Sequence, residues 1–252
     1  MNYSKTQGMT LVESLVAIVI GCISVAAIFY SYTYFSRSYE TIIEKSSISV
    51  RGREALTMIA RDLKNAGYLD VNYSRASWDR WIDVTTSPTG PSSSDILTIW
   101  YNTTTTDRVR IRYFLSPATG QNWGDSFLTK SYCLNPVVSI NCIYTDMMVI
   151  SHTSDFQVIL RDVNGAELTP VCFTCTGREL AQGTQAQGRE NQAKAHTAEL
   201  YITVRSPQEV YRTNTQVQVI NHNATTGGSV IHNDRFFRET FFTSVYLRNI
   251  VN

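Results

Sequence analysis

The sequence predicts an α+β protein in which one long N-terminal helix, transmembrane in its first half and amphipathic in its second, packs on an antiparallel β-sheet head. Three observations predict it. An apolar run follows Gly8 and lasts to about Phe35, with one ionised side chain inside it, Glu13. Beyond the run, Leu56, Ile59, Leu63 and Ala66 recur at three- and four-residue steps, the period of a helix with one buried face. After Ser94, segments rich in β-formers alternate with clusters of turn residues.

The first eight residues, MNYSKTQG, carry one side-chain charge, Lys5. A secretory signal has its cleavage site after the apolar region. Here the plausible processing site, Gly8, lies before it, so cutting there leaves the helix on the mature chain. Residues 9–35 are expected to be the transmembrane half of the helix. About 27 residues at ~1.5 Å rise give roughly 40 Å, enough to cross a ~30 Å hydrocarbon core with tilt. Phe29, Tyr30, Tyr32, Tyr34 and Phe35 crowd its far end as an interfacial belt, and Lys5 keeps the near end cytoplasmic. Residues 36–67 form the extracytoplasmic amphipathic half. No proline occurs before Pro88, Arg51, Arg53, Arg61 and Lys64 occupy the face opposite the apolar one, and Gly67 is the expected C-cap. The alternative is two helices with a break near Arg37–Glu40.

Residues 68–252 are expected to form the β-rich head. Asp70 to Ser94 reads as a loop whose tryptophans, Trp78 and Trp81, anchor it to the core. Asp95 to Tyr101 reads as a strand. In the next strand, Val109, Ile111, Tyr113 and Leu115 alternate with Arg108, Arg110 and Arg112, giving one buried and one solvated basic face. Phe127-Leu128 opens another strand, and Asp155 to Leu160 a further one that ends at the turn signal Asn164-Gly165. Thr176 to Ala195 is Gln-, Gly- and Thr-rich without apolar period and reads as an exposed loop. Ala198 to Ser206 reads as a strand stopped by Pro207, Val217 to Ile220 as a short strand, and Thr225 to Ser229 as a loop. In the closing segment, Arg235 to Asn249, a strand would place Phe242, Ser244 and Tyr246 opposite Phe241, Thr243, Val245 and Leu247.

Gly8-Met9-Thr10-Leu11-Val12-Glu13-Ser14, followed by the apolar run, resembles the N-terminus of type IV pilins and of the related type II secretion pseudopilins. The resemblance implies that a prepilin peptidase cuts between Gly8 and Met9 and methylates the new N-terminus at Met9. It also implies that Glu13, the fifth mature residue, pairs with the Met9 amine of a neighbouring subunit and sets its register in a filament. A carboxylate in hydrocarbon costs roughly 2.5–3.5 kcal/mol on insertion scales, and an opposite charge relieves that cost. The family usually has phenylalanine where this chain has Met9, an apolar residue suited to the same pocket.

Shorter islands resemble the PilW-type minor pilins: Ala60 to Tyr68, Ser94 to Ile99, Asp155 to Val158, and the ending Leu247-Arg248-Asn249. That resemblance implies a low-abundance subunit that primes the filament or sits at its tip. Its implied partners are other minor pilins, the major pilin, the prepilin peptidase and the inner-membrane assembly platform. The implied location is the inner membrane, single-pass with the head in the periplasm, and then the assembled pilus at the cell surface. Major pilins tend to be shorter than this chain, which favours a tip or priming role. A J-like minor pseudopilin of type II secretion is the closest rival. A tip adhesin, gripping a ligand through residues 70–94 and 176–195, is a reading of another class.

The 22 basic and 21 acidic residues balance, so no basic nucleic-acid footprint exists. Charged residues are 17% of the chain, a profile that suits extracellular β-structure better than a cytosolic enzyme. Of five cysteines, Cys22 lies in the apolar helix as a small hydrophobe. Cys133, Cys142, Cys172 and Cys175 form an even set in an extracytoplasmic domain and read as disulfides. Sequence proximity favours Cys133–Cys142 and Cys172–Cys175, with a crossed pairing open. Cys172-Phe173-Thr174-Cys175 also has the C-x-x-C spacing of thiol oxidoreductases, without the surrounding βαβ pattern, and four cysteines could bind zinc, although the first pair lacks the usual spacing. The four histidines are scattered, and no nucleophile stands in a recognisable frame. The expectation is no catalytic residue, no cofactor and no metal.

Overall fold

A computed structural model describes residues 10–68, 81–86, 94–104, 107–116, 126–134, 146–168, 194–211, 213–220 and 229–249. The chain divides into two compact units, Met1–Ser46 and Ser47–Asn252. Helix α1, Leu11–Asn65, is one α-helix of 55 residues that runs through the boundary, with no break near residues 37–40. In the first unit its large apolar side chains are exposed, among them Leu15, Ile18, Ile23, Val25 and Phe29. An 18-residue window of the helix is apolar enough to cross a membrane.

In the second unit the helix acquires an inside and an outside. Ile48, Gly52, Ala55, Leu56, Ile59 and Leu63 are buried, while Arg51, Arg53, Arg61 and Lys64 are exposed. The buried side chains face an antiparallel head and join its hydrophobic core. Gly52 is required for close approach, because a Cβ there would overlap the Phe241 ring. The helix ends at Asn65, and the chain turns out of it through Gly67, whose φ of 73° is the left-handed conformation glycine adopts without penalty. The Gly67 amide donates to the Trp100 carbonyl at 3.0 Å, and the Asn102 amide to the Tyr68 carbonyl at 2.9 Å, so the exit is tied to the sheet.

The head contains strands β1 (Ile82–Thr86), β2 (Asp95–Asn102), β3 (Arg108–Ser116), β4 (Phe127–Leu134), β5 (Met147–Ile150), β6 (Thr153–Arg161), β7 (Glu167–Leu168), β8 (Thr197–Glu209), β9 (Thr215–Ile220), β10 (Ser229–Asp234) and β11 (Phe236–Tyr246). They make a five-stranded sheet in the order β1-β2-β3-β4-β5, a four-stranded sheet in the order β11-β8-β6-β7, and the β9–β10 ribbon. All pairs are antiparallel. The alternation expected for β3 is present: Val109, Ile111 and Tyr113 are buried, and Arg112 is exposed. Tyr113 reaches the helix, donating from its hydroxyl to Asp62 Oδ2 at 2.5 Å, and Lys130 Nζ of β4 lies 2.6 Å from the same oxygen. Burial and the Asp62 charge hold the Tyr113 phenol protonated well above its ordinary range.

Four expectations need correction. The segment read as a loop between Asp70 and Ser94 contains strand β1, which buries Ile82 and Val84 and takes its register from β2. Its five residues are too few for a pattern to stand out from their surroundings. Trp81 just before it is buried, as an anchor should be, while Trp78 lies outside the described residues. Strand β8 runs through Pro207 rather than stopping at it. Pro207 falls where the β8–β11 register shifts, between the pairs Arg205↔Arg238 and Glu209↔Phe236, so no ladder donor is missed there. The Ser206 hydroxyl accepts the Phe237 amide at 3.1 Å in that gap. Ser229, placed in a loop by the sequence, begins β10. Ala195, placed at the end of an exposed loop, is buried, and residues 176–193 of that loop lie outside the described residues.

Candidate functional site

The start of α1 is built by the sequence Thr10-Leu11-Val12-Glu13. Thr10 is the N-cap: its hydroxyl oxygen accepts the Glu13 amide at 3.3 Å. Glu13 reaches back, and its Oε2 accepts the Thr10 amide at 3.1 Å and the Thr10 hydroxyl at 3.2 Å. This reciprocal pair is a capping box. It also places an anion in the first turn, where the helix dipole favours one. The T-x-x-E pattern is a helix-start signal in the sequence, and it gives Glu13 a capping role beside the register role that the prepilin-like motif implies for it.

Glu13 is exposed, on a helix start flanked by the exposed apolar residues Leu11, Val12, Leu15 and Val16. Chemically the arrangement offers one carboxylate, accessible from outside and already oriented by its own helix, to a cationic group brought alongside. Gly8 and Met9 lie outside the described residues. The other sequence-predicted residues are not brought to this place. Cys133 is buried near the end of β4 in the head, and Cys142, Cys172 and Cys175 lie outside the described residues. Cys22 is a free, exposed thiol on the helix.

Within the head, several charged side chains pair with one another or lie against aromatic rings. Arg161 makes two bonds to the Glu199 carboxylate, at 2.8 and 3.0 Å. Arg108 lies 5.2 Å from the Trp81 ring centre and 6.0 Å from that of Trp100. No group of three or more His, Cys, Asp or Glu side chains suited to a metal ion occurs among the described residues.

Against known proteins, the family model for the prokaryotic N-terminal methylation motif matches residues 3–29. Among solved structures, a type IV-like pilin from Thermus thermophilus superposes with a TM-score of 0.50 at 13% identity. The match covers 81% of this chain and 97% of that one. The fold is type IV pilin-like. No curated protein matches the chain. The motif and the pilin-like fold agree with a pilin role in general.

Proposed function

We propose that the chain is a minor pilin that takes part in type IV pilus assembly, priming the filament or sitting at its tip. The observation that carries this reading is a methylation motif over residues 3–29 joined directly to a capped apolar helix and a pilin-like head. On this reading residues 1–8 are a leader, 9–35 the transmembrane half of the helix, 36–67 its extracytoplasmic half and 68–252 the head. Prepilin peptidase cuts between Gly8 and Met9 and methylates Met9. Other minor pilins, the major pilin and the inner-membrane assembly platform are its partners. The head stands in the periplasm before assembly and at the cell surface after it. Cys133, Cys142, Cys172 and Cys175 are disulfide candidates of the head.

Glu13 then has two successive tasks. Before assembly its carboxylate caps its own helix through the Thr10 amide and hydroxyl. During assembly it takes the methylated amine of a neighbour, and the low dielectric of a packed helix core strengthens that attraction. The test is Glu13→Ala in the native host. The variant should still insert into the membrane and still be processed, and its incorporation into pili should fall sharply. Full incorporation of Glu13→Ala contradicts the pairing.

A further inference from the structure

Strand β11 is at the end of its sheet, and among the described residues no strand pairs with its outer edge. A groove of about 360 Å³ runs beside that edge. Its lining includes Arg53, Leu56, Arg61 and Lys64 of α1 with Phe242 and Thr243 of β11. Successive strand residues point to opposite faces, so a groove that touches both Phe242 and Thr243 passes along the strand's edge rather than over one face. No residue of β8 lines it, which places it on the unpaired side. All of these residues belong to the second unit.

We propose that this groove docks an extended acidic peptide segment, which adds to β11 as a further strand. The charge pattern selects the occupant. Arg53, Arg61 and Lys64 are exposed, and among the described residues none of the three is in an ion pair. Three like charges along one wall repel one another and attract an anionic chain. The floor selects the remaining features. Phe242 is 55% exposed, a large apolar ring at the lip of the groove, and Leu56 lies beside it. An alternating peptide satisfies both, with acidic side chains toward the helix cations and apolar ones toward Phe242. The edge supplies backbone donors and acceptors, as in strand addition generally. The competing account is that the cations only guard an exposed edge against pairing. The proposal is independent of the filament reading, since it rests on the second unit alone.

The test uses the full chain in non-ionic detergent and a fluorescent octapeptide of alternating glutamate and valine, followed by anisotropy. Binding should saturate between roughly 10 μM and 1 mM, as expected for a short added strand. The lysine–valine peptide should not bind. The double variant R61E/K64E, checked for its fold by circular dichroism, should weaken binding about tenfold or more. N-methylation of one set of alternate peptide amides should abolish binding to the unaltered protein, and methylation of the other set should not; this arm stands even if the double variant misfolds. Absence of saturable binding, or binding indifferent to charge reversal or to both methylation patterns, overturns the proposal.

Discussion

The Val158 amide donates to Asp95 Oδ2 at 2.8 Å, joining two sheets that share no strand ladder. Asp95 begins β2 of the five-stranded sheet, and Val158 lies on β6 of the four-stranded one. On this side of β6, β7 pairs only with Leu160 and Arg161, so the Val158 donor needs another acceptor. Next to it, the Ser94 hydroxyl donates to Asp155 Oδ1 at 2.8 Å, an oxygen that also accepts the Gln157 side-chain amide at 2.9 Å. Asp95 and Asp155 are each 2% exposed. Buried polar groups so placed hold the two sheets in one relative position, since each loses a partner if they slide.

Asp95→Ala should therefore destabilise the head by about 1–3 kcal/mol, the cost of leaving a buried donor unsatisfied. Asp95→Asn, which keeps an acceptor oxygen, should cost less. Urea unfolding of both variants checks the order; equal loss in the two would contradict it.

The helix–sheet contact at Gly52 makes a second prediction. A methyl group there overlaps the ring of Phe241, itself buried at 6% exposure. Gly52→Ala gains helix propensity of roughly 1 kcal/mol in an open position. Here overpacking costs typically 1–3 kcal/mol and should outweigh that gain. Shrinking the ring with Phe241→Leu should make the alanine tolerable. A double-mutant cycle reads this as a favourable coupling between the two changes, and simple additivity would show that the contact is slack.

Acid should loosen the β9–β10 ribbon. His232 is held below its ordinary value of 6.5 by burial first and then by the positive charge of Arg238, with Asp234 opposing both. The folded state thus prefers the neutral imidazole. Stability from this group is complete above about 6.5 and declines as pH falls from there through the lowered folded value. Asp234 behaves differently. Burial alone would raise its pKa, but Arg238, the Phe236 amide and His232 together pull it below its ordinary 3.8. Its contribution persists to a lower pH and fades only as the carboxylate is protonated. Exchange of the β9–β10 amides, corrected for intrinsic rate, should accelerate as pH falls below about 6.5. His232→Gln should remove that dependence while leaving the steeper loss at lower pH.

The helix was legible because its evidence is local and repeated. Leu56, Ile59, Leu63 and Ala66 carry the buried face in order, and Gly67 stops the helix with the backbone conformation it was expected to have. Strand β3 was equally plain, its arginines alternating with Val109, Ile111 and Tyr113. Strand β1 was hidden because its register comes from β2 and its own pattern spans only five residues. Pro207 misled for a related reason: it ends most strands, and only the bulge against β11 makes it harmless in β8. The Asp95–Val158 link joins residues 63 positions apart, and nothing near either one announces it. At the candidate site the charge of Glu13 was plain, but its bonds to Thr10 were read only from the structure.

The central claim is that this helix start is a processed filament-assembly terminus. The most direct measurement is the intact mass and N-terminal fragment spectrum of the protein taken from its native membrane, with prepilin peptidase active. The account predicts a chain that begins at Met9 and carries one added methyl group on its amine. A chain that still begins at Met1 under those conditions contradicts it.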